Sequence, residues 1–323
     1  MDTTQAIELY LKNNNVTISA SEFVKIASNI YHKYESESYD THHFGIDLCI
    51  PHWQKVLNTL KFSDKKVLNV LDFGCGTGFV TNQIINSNFY SEEMKITCYD
   101  LSPDMVQVCE NKFSKIENIN YLSDREGFEV LKNEIGKFDV IMCNALLHHV
   151  LDHKELFKIF DDSLVTNGLL IIGHEPNKGF YKNAVLQKVS SAFRIAKKIN
   201  NRIKKLSIGN KPISKDIRLM TYQELLDKNI IQANFPIHFL QKFIDIHVPM
   251  STLAKQPWGE LGFDAEFFNR EAANKFIITK QISYNHIKDQ LAYKSALWST
   301  ISKGLEKLYP KDGADVIFVL KKY

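Results

Sequence analysis

The chain has no apolar run approaching the roughly 20 residues that a membrane span needs. Its first residues, Met1-Asp2-Thr3-Thr4-Gln5-Ala6, place no basic region ahead of an apolar one, so neither a spanning helix nor a secretory leader is expected. Cysteine is scarce: 5 in 323 residues. Cys49, Cys75, Cys98, Cys109 and Cys143 show no C-x-x-C spacing, which excludes a zinc ribbon or a disulfide framework. They read as small buried thiols in a reducing, cytoplasmic setting. An excess of one charge is also missing. The formal net charge is +3, too small for whole-molecule attraction to nucleic acid. No Gly-Lys-Ser/Thr occurs anywhere, which removes the P-loop. The length suits one large α/β domain with a substantial insertion, or two domains.

What is present is a single stretch around which the rest is organised: Asn69-Val70-Leu71-Asp72-Phe73-Gly74-Cys75-Gly76-Thr77-Gly78-Phe79-Val80. A short apolar run breaks at Asp72, three glycines follow at alternate positions, and Phe79, Val80, Ile84 and Ile85 continue at helical period. This predicts a buried strand, a tight turn and a helix. Glycines spaced this way let the backbone approach a ligand closely. A dinucleotide fingerprint would need G-x-G-x-x-G, but position 79 is Phe and the third glycine comes early, at Gly78. Asp72 at the loop mouth would repel a pyrophosphate and suit a cationic amine or sulfonium.

D-x-G-x-G-x-G after a strand resembles motif I of the class I S-adenosylmethionine-dependent methyltransferases. The resemblance implies a doubly wound, mostly parallel seven-stranded sheet with an antiparallel last strand. It also implies S-adenosyl-L-methionine as cofactor and S-adenosyl-L-homocysteine as product, with Asp72, Gly74, Cys75, Gly76 and Gly78 at the cofactor.

Before this stretch, Phe23, Ile26, Ala27, Ile30 and Tyr31 fall at helical spacing behind Ser19 or Ser21 as cap. Residues 31–44 are polar and rich in aromatics and histidine. They read either as a solvated loop or, by the resemblance, as a lid in which Tyr39 meets the cofactor. His42-His43 has no second ligand cluster at suitable spacing, so no metal site is expected.

After it, Ile96 to Asp100 reads as the second strand. Asp100 ends it, roughly 20 residues beyond the glycine loop, where a doubly wound sheet reaches a ribose. Ser102 and Pro103 start a helix, and Leu101 and Met105 would flank the adenine. Asp124, past a short third strand, matches the family's adenine-amine acceptor. Lys137 to Asn144 is a near-continuous apolar run, as a strand buried on both faces should be. Asn144 and the following Leu-Leu-His-His-Val resemble the family's motif IV in small-molecule enzymes. The Asn-Pro-Pro-Tyr type, used on exocyclic amines of nucleic acids and on glutamine amides, is absent. Of the two histidines, His149 is assigned to the cofactor side. A helix from Lys154 to Val165 leads to a fifth strand, Leu169 to Gly173, which ends in His174-Glu175. Asp72, Asp100, Asn144 and His174-Glu175 are therefore all strand-end residues, where open parallel sheets bind ligands.

The sixth strand is placed at Phe276 to Ile282 and the last at Ala314 to Leu320. The expected organisation is a helical cap or lid over 1–65, a Rossmann-like core over 66–176, a helical insertion and substrate lid over 177–263, and the rest of the sheet over 264–323. Within the insertion, Val185, Val189, Phe193, Ala196, Ile199, Ile203 and Leu206 form an apolar stripe. No acid lies between Lys182 and Lys215. The basic face over 182–206 reads as a solvated face, as a site for an acidic partner such as a carrier protein, or as a contact for an anionic membrane surface.

The sequence thus points to methyl transfer to O, N or C of a small or carrier-bound acceptor, with His174, Glu175 and His149 as candidate bases. Two other readings remain: a catalytically inactive S-adenosylmethionine-binding subunit or sensor, and an RNA-directed methyltransferase using the basic helix. Nucleic acid is not the expected partner.

Overall fold

In the computed structural model the apolar runs pair into one seven-stranded sheet of order β3-β2-β1-β4-β5-β7-β6. The structure describes residues 2–42, 44–62, 67–124, 128–132, 134–205, 216–248 and 258–323. The chain opens with helices α1 (Thr3–Asn13), α2 (Ala20–Glu35), α3 (Tyr39–His42) and α4 (Ile50–Leu57). The core alternates β1 (Asn69–Phe73), α5 (Phe79–Ile85), β2 (Lys95–Asp100), α6 (Pro103–Phe113), β3 (Ile119–Ser123), α7 (Glu129–Lys132), β4 (Phe138–Asn144), α8 (His153–Ser163) and β5 (Leu164–Pro176). Then come α9 (Lys178–Lys182), α10 (Ala184–Lys205), α11 (Ile217–Asp227), α12 (Leu240–Ile244), α13 (Ala265–Glu271), β6 (Phe276–Tyr284), α14 (Ala296–Leu308) and β7 (Asp315–Lys322). The first five strands run parallel, and β7 lies antiparallel between β5 and β6.

Side chains that alternate along each strand feed two cores. Leu71, Ile141, Ile172 and Phe318 join Leu156, Phe160 and Phe268 on one face. Val70, Met142, Ile171 and Ile317 join Trp53, Val80, Ile84 and Phe113 on the other. A strand sealed on both faces has no polar side to show, which is why β4 reads as an unbroken apolar run. Its one acid, Asp139, is buried and accepts from the Asn69 amide at 3.0 Å, locking β4 to β1.

Three local expectations change. Residues 31–42 are not a loop: α2 continues to Glu35, and a 3₁₀ turn leads into α3. The helix expected to reach Val165 stops at Ser163, and the strand begins at once. In α10 the buried residues are Leu186, Ser190 and Phe193, whereas Val185 and Ile199 of the predicted stripe are exposed. The reason is that only one side of the helix meets the body, where the Ser190 hydroxyl donates to Ile287 O at 2.8 Å. Ile203 and Leu206 fall outside the residues whose side chains are described.

The insertion does not form one packing unit. Phe180, Leu186 and Phe193 pack with Ile287, Leu305 and Ala314 from the C-terminal part. Leu225, Phe235, Leu240, Phe243 and Trp258 pack instead with Ile7, Leu11, Phe23 and Ala27 of α1 and α2. The cap over the strand ends is therefore built jointly by the first 30 or so residues and by a segment some 200 residues later.

Candidate active site

The site is built at the carboxyl ends of the strands. After β1 the chain turns sharply, with Gly74, Gly76 and Gly78 all at positive φ. The turn is tied to β2, because the Gly74 and Cys75 amides both donate to Tyr99 O, at 2.7 and 2.9 Å. The glycines do different jobs. A Cβ on Gly78 would lie 2.4 Å from Phe113 and 2.8 Å from Cys109 Sγ, so this glycine serves close packing. A Cβ on Gly76 would meet nothing within 4 Å. Gly76 borders a cavity of about 350 Å³ together with Gly74, Asp100, Leu101, Met105 and Asn144.

Asp100 holds the rim of that cavity. One carboxylate oxygen accepts from the Gly76 amide at 2.9 Å and the other from the Ser102 amide at 2.8 Å. Each oxygen keeps a further lone pair for a ligand hydroxyl. Burial raises this carboxyl's pKa. Asn144 is fixed by the Trp53 indole, which donates to its Oδ1 at 2.7 Å. Gly173 makes room for that indole, since a Cβ there would lie 2.5 Å from the Trp53 ring. Tyr39 lines the cavity from α3. The helix is pinned to the glycine loop by Asp40, which accepts from the Thr77 hydroxyl at 2.6 Å and from Lys112 at 2.7 Å.

Not every expected residue reaches the cavity. Asp72 was expected at the loop mouth. Its side chain is fully buried beneath the loop, where Oδ2 accepts from Thr81 N at 2.9 Å and Thr81 Oγ1 at 2.7 Å. Desolvation pushes its carboxyl up to about 7. It thus caps the start of α5 rather than facing a ligand. Cys75 and Gly78 are turned into the same core and do not line the cavity. Asp124 is described but is not among the lining residues; Phe128, at φ 66°, lines that end instead.

A second cavity, of about 290 Å³, adjoins the first and shares His32, Tyr39, Ala145 and His149 with it. His149 thus borders both. Its Nδ1 meets Ile244 O at 2.7 Å, and burial lowers its pKa to about 4. His174 lines only the second cavity. Between Ile172 and Glu175 the β5–β7 register shifts by one residue, and His174 has φ 54°. A bulge of this kind re-aims a side chain, and it sets His174 Nδ1 2.8 Å from the Tyr284 hydroxyl. Glu175 behaves differently. It is fully buried, and it accepts from the amides of Leu146 and Leu147, both at 2.7 Å, and from His148 Nδ1 at 2.8 Å. Burial opposes its charge, but His148 and these amides prevail and lower its pKa. The carboxylate fixes the 145–149 turn and has no exposed face on either cavity.

Gln241, Ile244, Asp245, Tyr181, Lys288 and Asp315 also line the second cavity. The sequence marks Ile244 and Asp245 only as part of a lid segment that walls the acceptor pocket, and it gives the other four no site role. They come from four separate segments with no short-range spacing to mark them. Trp53 and Gly173 were missed too, although a lone glycine at a strand end is the kind of signal that marks a close approach.

Residues 71–170 match a family model described as "Methyltransferase domain". A malonyl-[acyl-carrier protein] O-methyltransferase from Ilyobacter polytropus is 32% identical over 108 residues, 33% of this chain and 39% of that protein. A second one from the same organism is 26% identical over 174 residues, 54% of this chain and 61% of the relative. The Bacillus anthracis protein of that name is 27% identical over 163 residues, 50% and 56% of the two chains. The chain thus spans roughly half the length of these relatives.

Proposed function

We propose that this chain is a class I S-adenosylmethionine-dependent methyltransferase that moves a methyl group from that cofactor to O, N or C of a small or carrier-bound acceptor. The observation that carries the reading is the pairing of the two cavities. The glycine loop and the β2 and β4 ends converge on the first, which falls in the ~300–1,000 Å³ range of small-molecule sites. The second opens beside it across His149 and Tyr39.

The residues present fit the cofactor. Gly76 offers backbone that a Cβ would not obstruct from neighbouring protein. Asp100 offers two oriented carboxylate oxygens for the ribose hydroxyls, and Leu101 and Met105 offer apolar walls for the adenine. The cofactor, when bound, supplies a methyl already activated by its sulfonium. The protein then has to hold the acceptor in line and exclude water. For a hydroxyl or amine acceptor, His174 is the base: its Nδ1 is anchored at Tyr284 and its ring faces the second cavity. His174 would take up the proton that such an acceptor gives up in the transfer.

A carrier-bound acceptor is favoured over a free one by two observations. The named relatives are malonyl-[acyl-carrier protein] O-methyltransferases. On this chain Lys182, Lys188 and Lys198 are exposed along α9 and α10, a face suited to an acidic carrier.

Calorimetric titration with S-adenosylhomocysteine tests the cofactor half. Micromolar binding is expected for the wild type and a loss of well over tenfold for Asp100→Ala. No binding by the wild type would remove the reading. The carrier half predicts methylation of a carrier-linked acyl group that weakens with added salt. An unchanged rate after Lys188→Glu/Lys198→Glu would argue for a free small molecule.

A further inference from the structure

At the wall between the two cavities the fold brings the adjacent His148 and His149 together with Asp245, almost 100 residues downstream. Each offers one ligand atom, and these atoms lie within 4.8 Å of one another. We propose that this cluster binds a divalent first-row transition-metal ion that holds an oxygen of the acceptor in the second cavity. From the sequence no metal site is expected, since His42-His43 has no second cluster nearby; His148-His149 meets its carboxylate only across that long separation.

The argument begins with how the ligands are held. Metal-binding imidazoles generally have their other nitrogen occupied by a carboxylate or carbonyl. His148 Nδ1 is occupied by the buried Glu175, itself fixed by two backbone amides, and this leaves Nε2 directed at Asp245, 3.9 Å from its Oδ1. Asp245 is oriented in the same way. Gln241 donates to its Oδ2, so Oδ1 faces both histidines. His149 Nδ1 lies 3.8 Å from the same oxygen and also meets Ile244 O, a contact that ligation through this nitrogen would give up. Two ligand atoms about 2.1 Å from a shared ion are separated by roughly 3.0–3.4 Å, so the cluster must contract by about an ångström.

The surroundings favour a cation. Among the described residues, the second cavity is lined by the carboxylates of Glu35, Asp245 and Asp315 against one ammonium, Lys288. The two histidine rings are 4.1 Å apart, a separation at which both cannot comfortably carry protons. Two imidazoles and one carboxylate with no thiolate match ions such as Zn²⁺, Fe²⁺, Mn²⁺ or Co²⁺ rather than Ca²⁺ or Mg²⁺, and leave positions open for an acceptor oxygen. An oxygen held there is both positioned and polarised.

Ion binding by the cluster stands apart from the methyl-transfer reading; its role toward the acceptor rests on that reading. The test uses Co²⁺ as a visible probe on chelator-stripped full-length protein. One equivalent is expected to give ligand-field absorption that Zn²⁺ displaces. Asp245→Ala and His149→Ala should each weaken Co²⁺ binding by more than tenfold while circular dichroism stays unchanged. His42→Ala/His43→Ala should leave it intact. Absence of absorption in the wild type, or equal binding by Asp245→Ala, overturns the proposal. S-adenosylhomocysteine titration of the same samples separates the two ideas. Its binding without Co²⁺ binding removes the ion site and leaves the cofactor reading standing, and the opposite pattern does the reverse.

Discussion

The two cavities differ in how their walls are drawn from the chain. Most of the floor of the larger one comes from residues 73–105 and 144–155, in the order strand, turn, helix. The smaller one is lined by Tyr31, Glu35, Tyr181, Asp245, Lys288 and Asp315, contributed by segments spread over almost the whole length. The first is a local device. Its geometry follows from one glycine turn and from strand ends that a parallel sheet aligns by construction. The second is a tertiary device throughout, whereas the first takes from the cap only the wall that runs from Ser21 to Tyr39. The same contrast marks the energetics. Asp100 spends its hydrogen bonds within 24 residues, whereas Glu35, His149 and Asp245 are brought together by the core that α2 shares with α12.

The largest effect that would break this picture is at Glu175, which joins the two cavities through the 145–149 turn. Glu175→Ala leaves His148 and two buried amides without their acceptor. Removing one partner of a buried pair costs about 3–5 kcal/mol. Urea denaturation should show a loss of that order, and the protein should still fold only if the rest of the sheet compensates. A change within about 1 kcal/mol would mean that the turn is held by other contacts. The wild type should also show the pair in its pH dependence. Glu175 has its pKa lowered, so its contribution is present above the ordinary carboxyl pKa and lost as pH falls through the folded value. His148 has its pKa raised, so its contribution is full below the ordinary imidazole pKa and lost as pH rises through the folded value. Stability from the pair therefore peaks between those limits.

A smaller effect separates the glycines within the larger cavity. Gly78→Ala places a Cβ against Phe113 and Cys109 at a positive φ. Overpacking of this kind costs about 1–3 kcal/mol, to which the left-handed backbone adds roughly 1 kcal/mol. Gly76→Ala carries only the backbone strain, because its Cβ enters open space. The expectation is that Gly78→Ala lowers the melting temperature more, while Gly76→Ala loses more S-adenosylhomocysteine affinity. The reverse order would mean that the cavity beside Gly76 is not the cofactor's.

How much of this was legible follows from the same distinction. The sheet was readable because strands buried on both faces have few polar interruptions, as in β4, and because Ser102-Pro103 marks a helix start. Asp100 and Asn144 are legible as strand-end residues and Leu101 and Met105 through the family resemblance, and all four line one cavity. Asp72 shows where such reading fails. A strand-end acid before a glycine turn has two ways to point, and the choice depends on Thr81, nine residues on, which supplies two donors inside the core. Tyr284 and Lys288 are not legible at all, and Asp245 is legible only as part of a lid segment, since their meaning lies in which distant strand or helix they face. His174 was identifiable as a strand-end residue, but the bulge that turns its ring toward Tyr284 depends on the register of β5 against β7, which no local pattern encodes.

The smallest expected effect tests that last distinction directly. Asp72 and Asp100 are both strand-end acids, on adjacent strands of the same sheet. Asp72 is held up to about 7 by burial, above its ordinary value, so the fold binds a proton that the unfolded chain has already lost, and stability falls as pH rises from about 4 to about 7. Asp72→Asn removes that ionisation while keeping an acceptor for Thr81. The variant should lie within about 1 kcal/mol of wild type at neutral pH, with a flatter stability profile across that window. Its S-adenosylhomocysteine affinity should change by less than about threefold, against the loss of well over tenfold for Asp100→Ala, a gap of at least about 0.7 kcal/mol in binding. Equal losses for the two variants would mean that Asp72 turns toward the ligand once the cavity is filled. The buried side chain seen beneath the loop would then be only one of its two positions.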